Sequence, residues 1–276
     1  MTQNVDAERL LLDAARTLSR RDAELLLAAA AGMSRGQWLA RADTGIPPEV
    51  AARFAGFVLR RAGGVPVAYL LGRREFWSLD LEVSPSVLVP RPETELLVER
   101  TLERVVADSA SVADLGTGSG AIAIALAHER PRWRIVATDV SDAALEMAHR
   151  NVERLVPGRI DLRRGAWFEP LSGQRFAAIV SNPPYIAGDD PVLTDDGLRH
   201  EPRGALTPEG DGFAALATLI NESPSHLDRH GWLLLEHGAA QGELVRSALV
   251  ARGFSHVTSQ RDLAGHERVT EAQWPS

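Results

Sequence analysis

Cysteine and lysine are both missing from the 276 residues, and aromatic side chains make up only 5% of them. Without a thiol there is no disulfide, no thiolate metal ligand and no cysteine nucleophile. All 30 basic residues are arginine, a bias read as genomic codon usage. The histidines follow no metal-ligand spacing; His200, His237 and His266 read as surface or capping residues, and no metal is expected. No apolar run opens the chain as a signal peptide would, and none reaches the ~20 residues of a membrane span. A cytoplasmic protein without membrane contact is therefore expected. The net charge of −7 argues against general nucleic-acid binding. Core material is ample, with 45% hydrophobic residues in a length that suits one large domain and one small one.

The most specific stretch is Ile179-Val180-Ser181-Asn182-Pro183-Pro184-Tyr185. Ala177 to Val180 read as a buried parallel strand, stopped by two prolines that cannot donate to a sheet ladder. Each proline restrains the residue before it, so the carbonyl oxygens of Asn182 and Pro183 can converge on one point outside the sheet. Two acceptors at one point suit a planar NH2 group, and Tyr185 offers a flat face beside it. Asn182-Pro183-Pro184-Tyr185 resembles the Asn/Asp-Pro-Pro-Tyr/Phe motif of methyltransferases that use S-adenosylmethionine to methylate a planar nitrogen, either an adenine N6 or a glutamine side-chain amide. Both nitrogens are poor nucleophiles until hydrogen bonds to their N–H groups localise the lone pair toward the methyl donor. The sulfonium leaving group carries its own activation, so the protein mainly supplies alignment and a polar pocket.

Upstream, Asp6 to about Leu71 alternate apolar and charged residues at helical spacing, with Pro47-Pro48 opening a long helix, Gly63-Gly64 ending it and Pro66 starting a short one. This predicts a small helical bundle over residues 1–72, with recognition and scaffolding both open as its job. Glu75 to Pro92 alternate in period two, which predicts a β-hairpin linker over 73–92 that bridges two domains. Pro92 then opens a helix with Glu93 and Glu95 at its positive end, and Arg91 is either a hinge or a substrate contact. Over 93–276 strands are expected near 111–115, 134–139, 160–163, 176–181, 232–236, 256–261 and 267–272. Helices are expected between the first five pairs and a short turn between the last two, which predicts an α/β fold with a parallel sheet covered on both faces.

Gly116-Thr117-Gly118-Ser119-Gly120 joins the first of these strands to a helix from Ala121, and its alternating glycines let the backbone approach a ligand closely. A nicotinamide loop could look similar. Asp114 just before the loop and Asp139, 19 residues after Gly120, favour the S-adenosylmethionine pattern, in which an acid at Asp139 accepts both ribose hydroxyls. Trp167 is either a core residue or an adenine contact, because Ala166 stands where an acid before an aromatic pair is common. Gly188 to Gly212 form a long polar loop, of a kind that is usually functional or disordered.

From the helical segment to Asp262-Leu263-Ala264-Gly265-His266-Glu267-Arg268, nearly the whole chain resembles the bacterial release factor glutamine methyltransferases. Val89-Pro90-Arg91-Pro92-Glu93-Thr94-Glu95, Glu201-Pro202, Ala205-Leu206 and Gly210-Asp211-Gly212 add to the likeness. The resemblance implies a seven-stranded Rossmann-like class I methyltransferase domain and an enzyme that is cytoplasmic and monomeric. It implies S-adenosyl-L-methionine as cofactor, S-adenosyl-L-homocysteine as product, and class I peptide chain release factors as partners, methylated at the glutamine of a Gly-Gly-Gln loop. Gly116, Thr117, Gly118, Ser119, Gly120, Asp139, Trp167 and Asn182 would hold the cofactor. Asn182, Pro183, Pro184 and Tyr185 would form the substrate site, with Asn182 and Pro183 orienting the amide and Tyr185 lining its slot. A DNA adenine-N6 methyltransferase is the enzyme alternative, opposed by the acidic balance and by a near-neutral helical segment, 11 Arg against 9 Asp plus Glu up to Asp80. A non-catalytic cofactor-binding regulator is opposed by the intact Asn182 to Tyr185 motif.

Overall fold

The computed structural model describes residues 5–40 and 45–275; residues 1–4, 41–44 and 276, which belong to the expected 1–72 and 93–276 segments, lie outside the described residues. Contacts divide the chain into two compact units. One takes in the described residues up to Arg73 with Asp195–His200, and the other the described residues of Arg74–Thr194 and of the chain from Glu201 on.

The first unit is helical: α1 (Ala7–Ala14), α2 (Arg20–Ala30), α3 (Arg35–Leu39), α4 (Pro48–Ala62) and α5 (Val67–Leu71). Polar residues start its helices: Asp6 accepts from Glu8 N–H, Ser19 from Asp22 N–H, and Ser34 forms a reciprocal capping box with Gln37. Pro48 opens α4 at its first turn and Gly72, in the left-handed region, ends α5. Leu11, Leu26, Leu27, Trp38, Phe54 and Leu70 make the core of this unit. Arg199 Nη2 from the 195–200 segment donates to Gly63 O at 2.7 Å.

Apart from Arg73, its first residue, a hairpin belongs to the second unit: β1 (Arg73–Phe76) and β2 (Leu79–Glu82), turning through Trp77 and Ser78 at φ of 54° and 57°. This is a two-residue turn with both central residues left-handed, the twist that hairpins favour. It is shorter than expected: after Glu82 the chain is irregular, and Val83, Val87 and Val89 are buried individually. Nor is it a free bridge. Phe76 and Leu81 belong to the core of the second unit, and Trp77 N–H donates to Glu95 Oε1 at 2.8 Å. Next come α6 (Glu95–Arg104), β3 (Ser111–Leu115), α7 (Ala121–Glu129), β4 (Arg134–Asp139), α8 (Asp142–Leu155), β5 (Ile160–Arg164) and β6 (Phe176–Ser181). They are followed by α9 (Arg203–Leu206), α10 (Ala214–Glu222), β7 (Leu227–Glu236), α11 (Gly242–Arg252), β8 (Ser255–Arg261) and β9 (Glu267–Gln273).

The large sheet runs β5-β4-β3-β6-β7-β9-β8, parallel up to β7, with β9 antiparallel to both its neighbours. Contrary to expectation, β5 and β6 are joined by a single 3-10 turn, Glu169–Leu171, and not by a helix. Pro170 and the left-handed Gly173 leave too little uninterrupted chain for one. Successive strands are added on one side of β3 as far as β5 and on its other side from β6, and the crevice beyond the carboxyl ends of β3 and β6 at this switch point is where such sheets bind ligands. Ser181 Oγ locks those two ends together by donating to Leu115 O at 2.6 Å.

Candidate active site

Strand ends β3, β4 and β6 open into one cavity of about 410 Å3 within the second unit. Its lining includes Gly116, Thr117, Gly118, Ser119, Asp139, Trp167, Asn182 and Pro184. The sequence-predicted Gly120, Pro183 and Tyr185 do not line it. Gly120 lies behind the loop against Ile124 and Ala148, Pro183 is buried, and Tyr185 sends its hydroxyl to Glu236 Oε1 at 3.3 Å.

Asp114 shapes the glycine loop from beneath. Fully buried, it accepts from Thr117 Oγ1 at 2.6 Å and Ala123 N–H at 3.2 Å, so one carboxylate oxygen ties the loop to α7. Burial pushes its pKa up to about 7, against the opposing hydrogen bonds. Above it, Gly118 sits at φ +57°, and a Cβ there would have no neighbour within 4 Å. The loop thus offers bare backbone to open cavity, the cradle that a nucleoside-bearing ligand requires. Asp139 Oδ2 accepts from Gly118 N–H and Oδ1 from Ser141 N–H, both at 2.9 Å. These bonds fix the carboxylate, and each oxygen keeps a further lone pair for a ligand hydroxyl.

Trp167 faces the loop: a Cβ on Gly116 would meet its ring at 3.3 Å. Its φ of 47° is uncommon for an aromatic residue, and Thr138 Oγ1 holds its carbonyl at 3.1 Å. Such outliers cluster at ligand sites, where surrounding structure supports a cost of ~1–3 kcal/mol. Ala166 offers no carboxylate; its N–H instead donates to Glu169 Oε2 at 2.9 Å.

Several lining residues escape a sequence reading. Ser86, Val87 and Leu88 come from the irregular stretch after the hairpin, and Thr94 from the 3-10 turn Pro92–Thr94. Arg91 also lines the cavity, paired with buried Glu201, whose Oε2 accepts from Val89 N–H at 2.9 Å. That pair brings Pro202, Gly204 and Ala205 of the long loop into the wall. His237 is not a surface residue: it is fully buried, with Nε2 on Thr270 Oγ1 at 2.8 Å, and burial lowers its pKa. Among the described residues no cluster of three or more His, Asp or Glu could hold a metal ion, and no helix is long and apolar enough to cross a membrane.

Comparison with known proteins agrees with this architecture. A methyltransferase small domain model matches residues 92–216 and a PrmC N-terminal domain model matches residues 5–72. The chain is 50% identical over 256 residues to the release factor glutamine methyltransferase of Pseudomonas aeruginosa, covering 93% of each. It is 45% identical over 251 residues to the protein of the same name from Escherichia coli K12, covering 91% of each. Among solved structures, a methyltransferase from Pyrococcus furiosus matches with a TM-score of 0.56 at 20% identity, over 82% of this chain and 100% of that one, a likeness of fold.

Proposed function

The chain belongs to the family of release factor glutamine methyltransferases, and from that premise we propose that it methylates the side-chain amide nitrogen (N5) of the glutamine in the Gly-Gly-Gln loop of bacterial class I release factors. The observation that carries the reading is the opening of Asn182, Asp139 and the glycine loop into one cavity. S-adenosylmethionine supplies a methyl group on a sulfonium, which needs no further activation. In this reading Gly116 to Ser119 cradle the cofactor, Asp139 accepts its ribose hydroxyls and Trp167 lies against its adenine. Asn182, which lines the cavity as Pro183 does not, accepts an amide N–H through Oδ1, drawing the nitrogen lone pair out of conjugation and toward the methyl carbon. As the C–N bond forms and the S–C bond breaks, the nitrogen sheds one proton to solvent.

The adenine-N6 alternative is not favoured, because relatives that share nearly the whole chain carry the glutamine name. One glutamine side chain cannot distinguish a release factor from other proteins, so recognition is assigned to the helical unit, which could add to the ~1,200–2,000 Å2 that specific protein interfaces bury. Mass spectrometry of a release factor incubated with the enzyme and methyl-labelled cofactor tests the proposal. A label on the Gly-Gly-Gln glutamine that drops by roughly 10²–10³ in rate with Asn182→Ala supports it. A label elsewhere, or none, overturns it.

A further inference from the structure

Among the described residues that line the cavity, Asp139 and Arg91 are the charged side chains, one anion and one cation. The reaction gives Asp139 a partner in the ribose and leaves Arg91 without one. Arg91 is nevertheless set with care. Its backbone is extended at φ −95° and ψ 145°, a geometry that the following Pro92 favours, and its carbonyl accepts from Thr94 N–H at 3.1 Å. Its guanidinium donates through Nη2 to Oε1 of Glu201, whose side chain is 1% exposed and whose Oε2 accepts from Val89 N–H at 2.9 Å. Among the described residues Glu201 is the acceptor this guanidinium meets, and a guanidinium carries five N–H donors. A partly exposed cation with donors to spare thus stands on the cavity wall, aimed by a buried acid.

The sheet order says which part of a ligand it can meet. Asp139 closes β4 and Trp167 follows β5, whereas Asn182 follows β6 on the far side of β3. Thr94, tied to Arg91 through the backbone, accepts from Asn182 Nδ2 at 3.2 Å, so Arg91 belongs to the β6 side. In S-adenosylmethionine the sulfur joins the adenosine to a short amino-acid arm. With the adenosine over β4 and β5 and the methyl group at Asn182, that arm leaves the sulfur on the side of Arg91. It ends in a carboxylate, and an anion that leaves bulk water needs a partner. A planar guanidinium fork matches a carboxylate better than any other side chain does. The glutamine amide and its neighbouring glycines carry no anion to compete for it.

We propose that Arg91 binds the carboxylate of the cofactor's amino-acid arm, with Glu201 as the positioning residue that aims the guanidinium. The proposal rests on the reading of the cavity as the S-adenosylmethionine site and adds the contact that holds the arm. Because Glu201 belongs to the long loop whose Pro202, Gly204 and Ala205 line the same cavity, the ion pair also ties that wall to the end of the cofactor next to the transferred methyl group.

The test is calorimetry on the full-length enzyme with two ligands, S-adenosylhomocysteine and its decarboxylated analogue, which has hydrogen in place of the carboxylate. Wild type should bind the analogue about 10- to 100-fold more weakly. Arg91→Met should bind S-adenosylhomocysteine more weakly by a similar factor, yet bind the analogue within about twofold of wild type, because the lost contact is then missing from both sides of the comparison. Arg91→Lys keeps a point charge without the fork and should fall between. Glu201→Gln should weaken S-adenosylhomocysteine a few-fold and the analogue less. A purely structural role for the ion pair predicts equal losses for both ligands in every variant. If Arg91→Met leaves Glu201 unpaired and fails to fold, Arg91→Lys decides by the same difference between ligands. Equal wild-type affinity for the two ligands overturns the proposal, as does an Arg91 variant that weakens both equally or neither. An Arg91→Met enzyme with unchanged S-adenosylhomocysteine affinity and a raised KM for release factor would assign the arginine to the protein substrate instead. A wild type that binds no S-adenosylhomocysteine removes the cofactor reading and this proposal together. One that binds it in the expected pattern but methylates no release factor removes only the proposed substrate.

Discussion

Asn151 and the backbone of Glu82 hold each other from both sides: Asn151 Oδ1 accepts from Glu82 N–H at 2.7 Å, and its Nδ2 donates to Glu82 O at 2.9 Å. The same Nδ2 reaches Ser119 O at 3.0 Å. One fully buried side chain on α8 thus pins the end of the hairpin and the glycine loop together. Asn151→Leu fills similar space but leaves three backbone groups without partners, at a cost on the order of 1–3 kcal/mol for each that stays dry. Urea denaturation should show a clearly lowered midpoint, and calorimetry a weakened affinity for S-adenosylhomocysteine. An unchanged midpoint would show that Asn151 only fills space.

Asp139 faces two ways, holding backbone N–H groups of Gly118 and Ser141 while lining the cavity. Asp139→Ala should weaken S-adenosylhomocysteine binding about ten- to a hundredfold, the ~1.5–3 kcal/mol of a lost charged acceptor. Asp139→Asn keeps one acceptor oxygen and should fall between. Calorimetry reads both, and an alanine variant that binds as wild type does would put the ribose elsewhere.

Three buried carboxyls give stability two opposite pH signatures. Burial raises Glu236 and Asp114 to about 7 each, so the folded state binds their protons more tightly than the unfolded chain does. Their contribution is complete below about pH 4 and is lost as pH rises through about 7. Glu271 runs the other way. Burial alone would raise it, but hydrogen bonds from Arg104 and Arg100 overcome that and hold it at about 2. Its contribution is present above its ordinary pKa of 4.5 and is lost as pH falls toward 2. Chemical denaturation across pH should therefore show wild type losing stability relative to Glu236→Gln between about pH 4 and 7, with a slope of up to ~1.4 kcal/mol per pH unit. A difference independent of pH would mean that Glu236 titrates at an ordinary value.

Much of this fold is legible in the sequence because buried parallel strands read as continuous apolar runs, as Ile135 to Ala137 and Ala177 to Val180 do. The start of β7 is not, since Asp228, Arg229 and His230 are exposed and look like loop. The missing helix before β6 was hidden by a segment whose apolar residues, Trp167, Phe168 and Leu171, pack from irregular backbone. Site residues that act through backbone, such as the glycines, announce themselves by spacing. Thr94 and Glu236 do not: one is a threonine in a proline-led turn, the other a lone acid closing Leu233-Leu234-Leu235, and only the folded chain brings the first to Asn182 and the second to Tyr185. An acid at the carboxyl end of an apolar strand, as at Asp139, was the one available signal.

The helical unit offers a specific place to test recognition. On α4 the buried face is carried by Val50 and Phe54, while Ala52, Ala55, Gly56 and Leu59 are exposed at helical spacing along another face, between Arg53 and Arg60. Leu59 is 76% exposed, an uncommon position for so large an apolar side chain on an otherwise small-residue stripe. A flat stripe of small residues lets a partner backbone or helix approach closely, with one leucine available as an anchor. Leu59→Glu should leave the urea midpoint within about 0.5 kcal/mol of wild type, as surface changes usually do. It should raise KM for intact release factor by roughly fivefold or more, the size of an interface contact worth about 1 kcal/mol. For a short Gly-Gly-Gln peptide, which reaches only the cavity, kcat/KM should not change. This split separates recognition from catalysis, because damage to the site would lower activity on both substrates. Leu59→Ala, Ala55→Glu and Gly56→Glu extend the test along the stripe, and wild-type KM in all four variants would move recognition to a different surface of the protein.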